Sequence, residues 1–119
     1  MNNSEIKEKL ISMTDKISEL RKDNLINMDL ICQYEKEIDD IELPIKVKVD
    51  TEYETTKDKN LSTIEKREKE VQKRLNENEQ YKDKIRKIKQ LKRTNAENDI
   101  IISYNRRVIN IHIAFARGE

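Results

Sequence analysis

The chain has almost nothing with which to turn, cross-link or stack. Glycine and proline occur once each among 119 residues, as Gly118 and Pro44, and tryptophan is absent. So few turn residues leave little room for a fold of many short elements. The single cysteine, Cys32, cannot close an intramolecular disulfide, which fits a reducing, cytoplasmic setting. His112 is the only histidine and has no cysteine near it in sequence, so an imidazole that is packed or at the surface is expected, not a metal ligand or catalytic base. Cys32 follows Ile31 and is expected to be a small buried side chain. No glycine-rich phosphate loop, zinc spacing or nucleophile motif is present, and the reading is of a non-enzyme without a cofactor. Met1 to Lys9 is polar, so no signal peptide is read there, and no apolar run approaches the roughly 18 to 20 residues of a membrane span.

What is present is charge. Charged residues make up 41% of the chain and hydrophobic ones 34%, yet the net charge is only +1. That leaves too little apolar material for a thick core and no global field to favour nucleic acid or membrane. Long helices that bury a narrow stripe and solvate the rest suit this composition. Disorder is the competing class for so polar a chain, but it does not require the apolar residues to keep a period.

They do keep one. After Ser4, a candidate N-cap, two rows recur every seven residues. One is Ile6, Met13, Leu20, Asn27, Tyr34, Ile41; the other is Leu10, Ile17, Asn24, Ile31, Ile38, Ile45. Alternating steps of three and four describe a coiled-coil seam, and Asn24 and Asn27 are polar interruptions of the kind that restrict register. Pro44 is expected to end this first helix or bend it sharply. The stretch that follows, Ile45-Lys-Val-Lys-Val-Asp-Thr-Glu-Tyr53, alternates like a strand, with Ile45, Val47, Val49, Thr51 and Tyr53 on one face. Three readings remain: a strand paired across an oligomer, a continuation of the helix past a kink, and an extended connector, which is preferred.

Ser62 and Glu65 form a capping-box pattern that opens a second helix. Its seam is read as Ile64, Val71, Leu75, Tyr81, Ile85, Ile88, Leu91 and Ile102, with Arg74, Asn78, Lys92 and Asn95 as weaker members. The resulting fold class is all-α, one elongated helical domain over 1–119. Helix 1 spans about 4–43, a connector 44–61, and helix 2 about 62–116, the two helices forming an antiparallel coiled-coil hairpin.

If the chain folds back near Thr51, residue 6 lies beside about 98, and everything after Glu97 overhangs. The overhang is the most apolar part of the chain, so Ile101, Ile102, Tyr104, Val108, Ile109, Ile111, Ile113 and Phe115 are read as an oligomer interface, with a second copy as partner. Ile109, Ile111, Ile113 and Phe115 also alternate, and a hairpin turning near Asn105 and Arg106 is the rival; helix is preferred, because Asn-Arg is a poor two-residue turn. Whether the seams pair within or between chains is open, since a seam looks the same either way.

Lys84, Arg86, Lys87, Lys89, Lys92 and Arg93 place six cations in ten residues, and Arg106 and Arg107 follow. Such a strip can neutralise a phosphate backbone without reading sequence. The preferred alternative is that Asp15, Glu19 and Asp23 of helix 1 face and neutralise it. Glu35, Glu37, Asp39, Asp40 and Glu42 point several ways on a helix and are read as a solvated face.

The block from Lys57 to Tyr81, with Asn60 through Leu75 its most characteristic part, and the later Tyr104, Arg106 and Arg107 resemble small coiled-coil proteins that phages and prophages encode near replication and recombination genes. The resemblance implies a helical C-terminal segment, a mobile-element origin, a location in the host cytoplasm and an accessory role, with no activity attached. Two functions are therefore expected: an interaction or scaffold protein with itself and an unidentified protein as partners, or a sequence-independent nucleic-acid-binding accessory protein. Neither involves a membrane.

Overall fold

The structure, a computed structural model, describes residues 2–118. All regular structure among them is helical: α1 spans Asn3–Thr56, a short 3-10 turn spans Lys59–Leu61, α2 spans Ile64–Asn76 and α3 spans Glu79–Ala116. The stretches 45–53 and 100–115 are therefore helical, and the strand readings of both are set aside.

Each helix begins on a side chain that accepts an otherwise unpaired backbone amide. Asn2 Oδ1 accepts the Glu5 N–H at 2.8 Å while Glu5 Oε2 accepts the Asn2 N–H at 3.3 Å. This reciprocal pair starts α1 two residues ahead of the Ser4 cap expected from the sequence. Thr63, not Ser62, caps α2 by accepting the Lys66 N–H at 3.1 Å. Ser62 instead closes the 3-10 turn, its hydroxyl donating to the Lys59 carbonyl at 2.9 Å.

The main correction concerns Pro44. It lies inside α1, which continues to Thr56, so residues 44–56 are helix and the expected connector 44–61 shrinks to the few residues after Thr56. A proline in a helix interior costs about 3 kcal/mol, through a lost hydrogen bond and a clash with the preceding turn. Burial outweighs that cost. Ile41, Ile45, Val49 and Tyr53 step by four and gather with Leu61, Val71, Leu75 and Tyr81, and each buried aliphatic side chain contributes about 1.5–3 kcal/mol. Val49 is 0% exposed at the centre of the cluster, whereas Val47, its neighbour on the imagined strand face, is 55% exposed. Pro44 itself is on the exposed side of the helix.

Threonines help to end α1. The hydroxyls of Thr51, Thr55 and Thr56 donate back to the carbonyls of Val47, Thr51 and Glu52. Lys57 then takes φ +53°, the left-handed conformation that stops helices, with its N–H on the Tyr53 carbonyl at 2.8 Å.

The expected second helix, 62–116, is two helices. Neither glycine nor proline breaks it; Asn78 does, accepting the Tyr81 N–H at 2.8 Å and capping α3. Asparagine favours caps over helix interiors because its side chain competes for nearby amides.

The chain divides into two compact units, one made of residues up to Asp29 with those from Leu91 onward, the other of Leu30–Gln90. In the first, Ile17 and Leu20 of α1 pack on Ile102 of α3, with Ile109 against them. Residues after Glu97 thus have a partner in their own chain, and the overhang inferred from the shorter helix 1 does not exist. Asn27 meets Asn95 and Asn24 meets Asn98 and Asp99, so residue numbers rise on one helix as they fall on the other, and Ile6 lies by Ile113 and Ala116 rather than by residue 98. In the second unit the cluster around Val49 is joined by ionic contacts. Arg74 grips Glu52 with both terminal nitrogens, at 2.6 and 3.3 Å, and Glu70 through Nε at 3.0 Å. Arg67 donates to the Leu61 carbonyl at 2.9 Å, stands 3.4 Å from Asp50 and lies 4.9 Å from the centre of the Tyr53 ring.

Replacing Pro44 with alanine is expected to stabilise the fold by about 1–3 kcal/mol in urea unfolding, since it restores an intrahelical bond; a connector at 44 would give no gain. Leu75→Ala, which empties a 3% exposed site, is expected to cost about 2–4 kcal/mol.

Candidate interaction site

The first unit holds the segment read from sequence as an interface, and its two-residue-wide apolar band separates into two lines on α3. The inner line is Asn98, Ile102, Asn105, Ile109 and His112, all buried or half-buried. The outer line is Ile101, Tyr104, Val108, Ile111 and Phe115; Val108 is half-buried and the other four are exposed, Phe115 by 77%. Of the eight expected interface residues, Ile102 and Ile109 therefore serve packing within the chain. Ile113 borders an apolar groove of about 520 Å³ with Ile6, Leu10, Ile11 and Ile109.

Four asparagines and an aspartate form a hydrogen-bonded polar layer in this unit. Asn27 Nδ2 donates to Asn95 Oδ1 at 2.9 Å, and Asn95 Nδ2 donates to the Asn24 carbonyl at 3.3 Å. Asn98 Nδ2 donates to Asn24 Oδ1 at 2.9 Å, while Asn24 Nδ2 donates to Asp99 Oδ1 at 3.0 Å. Mutual satisfaction is what makes such a layer tolerable, because a half-buried amide without a partner costs about 1–3 kcal/mol. The layer also resists slippage: a shift of one turn would set asparagine against isoleucine. Neither Asn98 nor Asn105 is read as a seam position from the sequence, although Asn98, Asn105 and His112 repeat at seven, as do Asn95, Ile102 and Ile109.

The basic strip is split by its pairing. Lys84 Nζ is 2.9 Å from Glu37 Oε2, and Lys84 and Lys87 both lie over the Tyr34 ring, at 5.9 and 5.6 Å from its centre. Asp83 takes Lys87 at 3.0 Å and Arg86 at 3.8 Å. The neutralising acids are thus Glu37 and Asp83; Asp15, Glu19 and Asp23 belong to the first unit, where Glu19 stands 3.9 Å from Lys16. The difference follows from the register, which brings Tyr34 and Glu37 to this part of α3. Lys89, Lys92, Arg93, Arg106 and Arg107 are exposed, and no ion pair joins them to another described residue.

These contacts shift the carboxylates. The hydrogen bond from Lys84 holds the Glu37 carboxyl below its ordinary range, that from Arg74 does the same for Glu52, and that from Lys87 for Asp83. Burial opposes each shift but is the smaller effect.

Cys32 is exposed, not buried as expected, because it lies one residue past the seam position Ile31 and so about 100° round the helix. His112 is half-buried on the inner line. A groove of about 550 Å³ in the second unit is an open one lined by Glu42, Lys46, Asp50, Arg67 and Glu68 beside Ile64 and Val71. Among the described residues no group of three or more His, Cys, Asp or Glu is placed to hold a metal ion, and no helix is long and apolar enough to cross a membrane.

Asn95→Leu strands the Asn27 amide and is expected to cost about 1–2 kcal/mol, whereas Asn27→Leu/Asn95→Leu together restore or exceed wild-type stability; a double-mutant cycle in urea reads the coupling. Because the folded values of Glu37, Glu52 and Asp83 lie below their unfolded ones, their contribution is complete above the ordinary carboxylate range and is lost as pH falls through the lowered values. The urea midpoint is expected to drop between pH 7 and pH 3, and to drop less in Glu52→Gln.

Comparison with known proteins gives no matching family model, and no match among curated proteins or solved structures.

Proposed function

We propose that this chain is a non-enzymatic coiled-coil interaction protein, built by antiparallel hairpin pairing of helices within each unit, which acts as a homo-oligomer and displays its flanks to another protein. The observation that carries this reading is the mismatch between cover and apolar surface in the first unit. Ile17 and Leu20 of α1 face the inner line of α3, yet Ile100, Tyr104 and Phe115 remain 60–77% exposed on the same helix. Soluble monomers seldom leave contiguous apolar surface of that kind in water. The polar groove lined by Glu42, Lys46, Asp50, Arg67 and Glu68 is open to solvent, whereas substrate sites bury most of their ligand. An accessory role in a phage or prophage setting, in the host cytoplasm, rests on the sequence resemblance.

A second reading, sequence-independent binding of nucleic acid, is favoured by one observation: Lys89, Lys92, Arg93, Arg106 and Arg107 are exposed cations without an acidic partner among the described residues. Their number is small and few aromatics accompany them, so contacts would be confined to phosphates.

Titration against single- and double-stranded DNA at about 50 and 200 mM salt separates the two readings, since phosphate contacts weaken steeply with salt over that range. The interaction reading expects no measurable binding at the lower salt. Binding that collapses at the higher salt, and is lost in Arg106→Gln/Arg107→Gln, establishes the second.

A further inference from the structure

We infer that the outer line of α3, Ile101, Tyr104, Val108, Ile111 and Phe115, is a self-docking seam that takes the same line of a second copy across a two-fold axis. This rests on the homo-oligomer part of the proposed function and specifies the face that carries it.

The spacing is the first ground. The outer line steps by three, four, three and four, the same rhythm as the inner line 98, 102, 105, 109 and 112. The two lines are offset by one residue and so lie about 100° apart around the helix. A helix with one apolar line packs against one neighbour; a helix with two such lines is built for two. Among the described residues of this unit the only other helix is α1, and its seam residues Ile17 and Leu20 already meet the inner line at Ile102. A further neighbour for the outer line therefore comes from another molecule.

Area and symmetry point to a second copy. Ile101, Tyr104, Ile111 and Phe115 are 41–77% exposed, and Ile100, 71% exposed, extends the band at its side. Together they present on the order of 600 Å² of side-chain surface, at the upper end of what a monomer leaves in water and close to the roughly 800 Å² that each partner contributes to a stable complex. No charged residue falls on the line between Ile101 and Phe115. A two-fold axis parallel to the helices sets an identical helix alongside with the same steps of three, four, three and four, so each residue of the line meets its own copy, with Ile101 and Phe115 each seven residues from the central Val108. Self-matching of one patch is what a two-fold interface requires.

The test is light scattering on the full chain at about 10–100 μM, with circular dichroism as the check on folding. Wild type is expected at twice 14.3 kDa. Tyr104→Glu/Ile111→Glu places two charges on the line at exposed positions, and is expected to weaken the dimer at least about a hundredfold with helix content unchanged. Leu25→Glu/Ile26→Glu, on exposed apolar positions of α1 in the same unit, is expected to stay dimeric. Phe115→Ser, one residue from the end of α3, provides a milder change with the same expected direction should the double variant lose helix. A wild type of 14.3 kDa throughout overturns both the seam and the homo-oligomer reading. An oligomeric wild type whose mass survives the line variants with helix intact overturns the seam alone, as does dissociation in the Leu25/Ile26 variant to the same degree.

Discussion

Burial of Val49 is the interaction on which the rest of the structure depends. It holds α1 helical through Pro44 and on to Thr56, because the residues at 41, 45, 49 and 53 reach Leu61, Val71 and Leu75 only if the backbone keeps its turn of 3.6 residues. The energies involved are unequal: about 3 kcal/mol for an interior proline against several buried aliphatic and aromatic side chains at about 1.5–3 kcal/mol each. Once α1 is carried that far, the chain reverses after Lys57 rather than near Thr51. Each unit then takes the pairing it shows, Glu37 with Lys84 in one and Asn27 with Asn95 in the other.

The polar layer complements that constraint. Isoleucines stepping by three and four can slide by a turn and still find apolar partners, but Asn24, Asn27, Asn95 and Asn98 satisfy one another in one alignment only. Packing supplies stability and the asparagines supply uniqueness. The buried Asn105, 8% exposed, continues the inner line towards the C-terminal end of α3, where no hydrogen bond joins its amide to another described residue. That end of the seam has correspondingly weaker specification than the asparagine layer.

Much of α1 was legible in the sequence. All twelve positions of its two heptad rows, from Ile6 to Ile45, are buried or half-buried, since strict repetition over six heptads leaves little ambiguity about which face is covered. Residues 45–53 were not legible, because Ile45, Val49 and Tyr53 satisfy both a period of two and a step of four, and the nearby proline tilts a local reading towards extended chain. The break at Asn78 was hidden for a different reason: an asparagine cap needs no glycine or proline, and the surrounding Asn-Glu-Asn-Glu looks like any solvated helix face. The outer and inner lines of α3 could be separated only after the register was known, because Ile101 and Ile102, or Val108 and Ile109, are equivalent by composition.

A register claim is tested most directly by asking which residues are neighbours in solution within one chain. In a Cys32→Ser background, Asn27→Cys/Asn95→Cys and Asn27→Cys/Glu77→Cys can be treated with a short thiol-specific cross-linker and resolved by mass under denaturing conditions. The account predicts rapid intrachain linkage of 27 to 95, whose side chains are 2.9 Å apart across the layer, and none of 27 to 77. Linkage of 27 to 77, or products of 27 and 95 found only between chains, would contradict it.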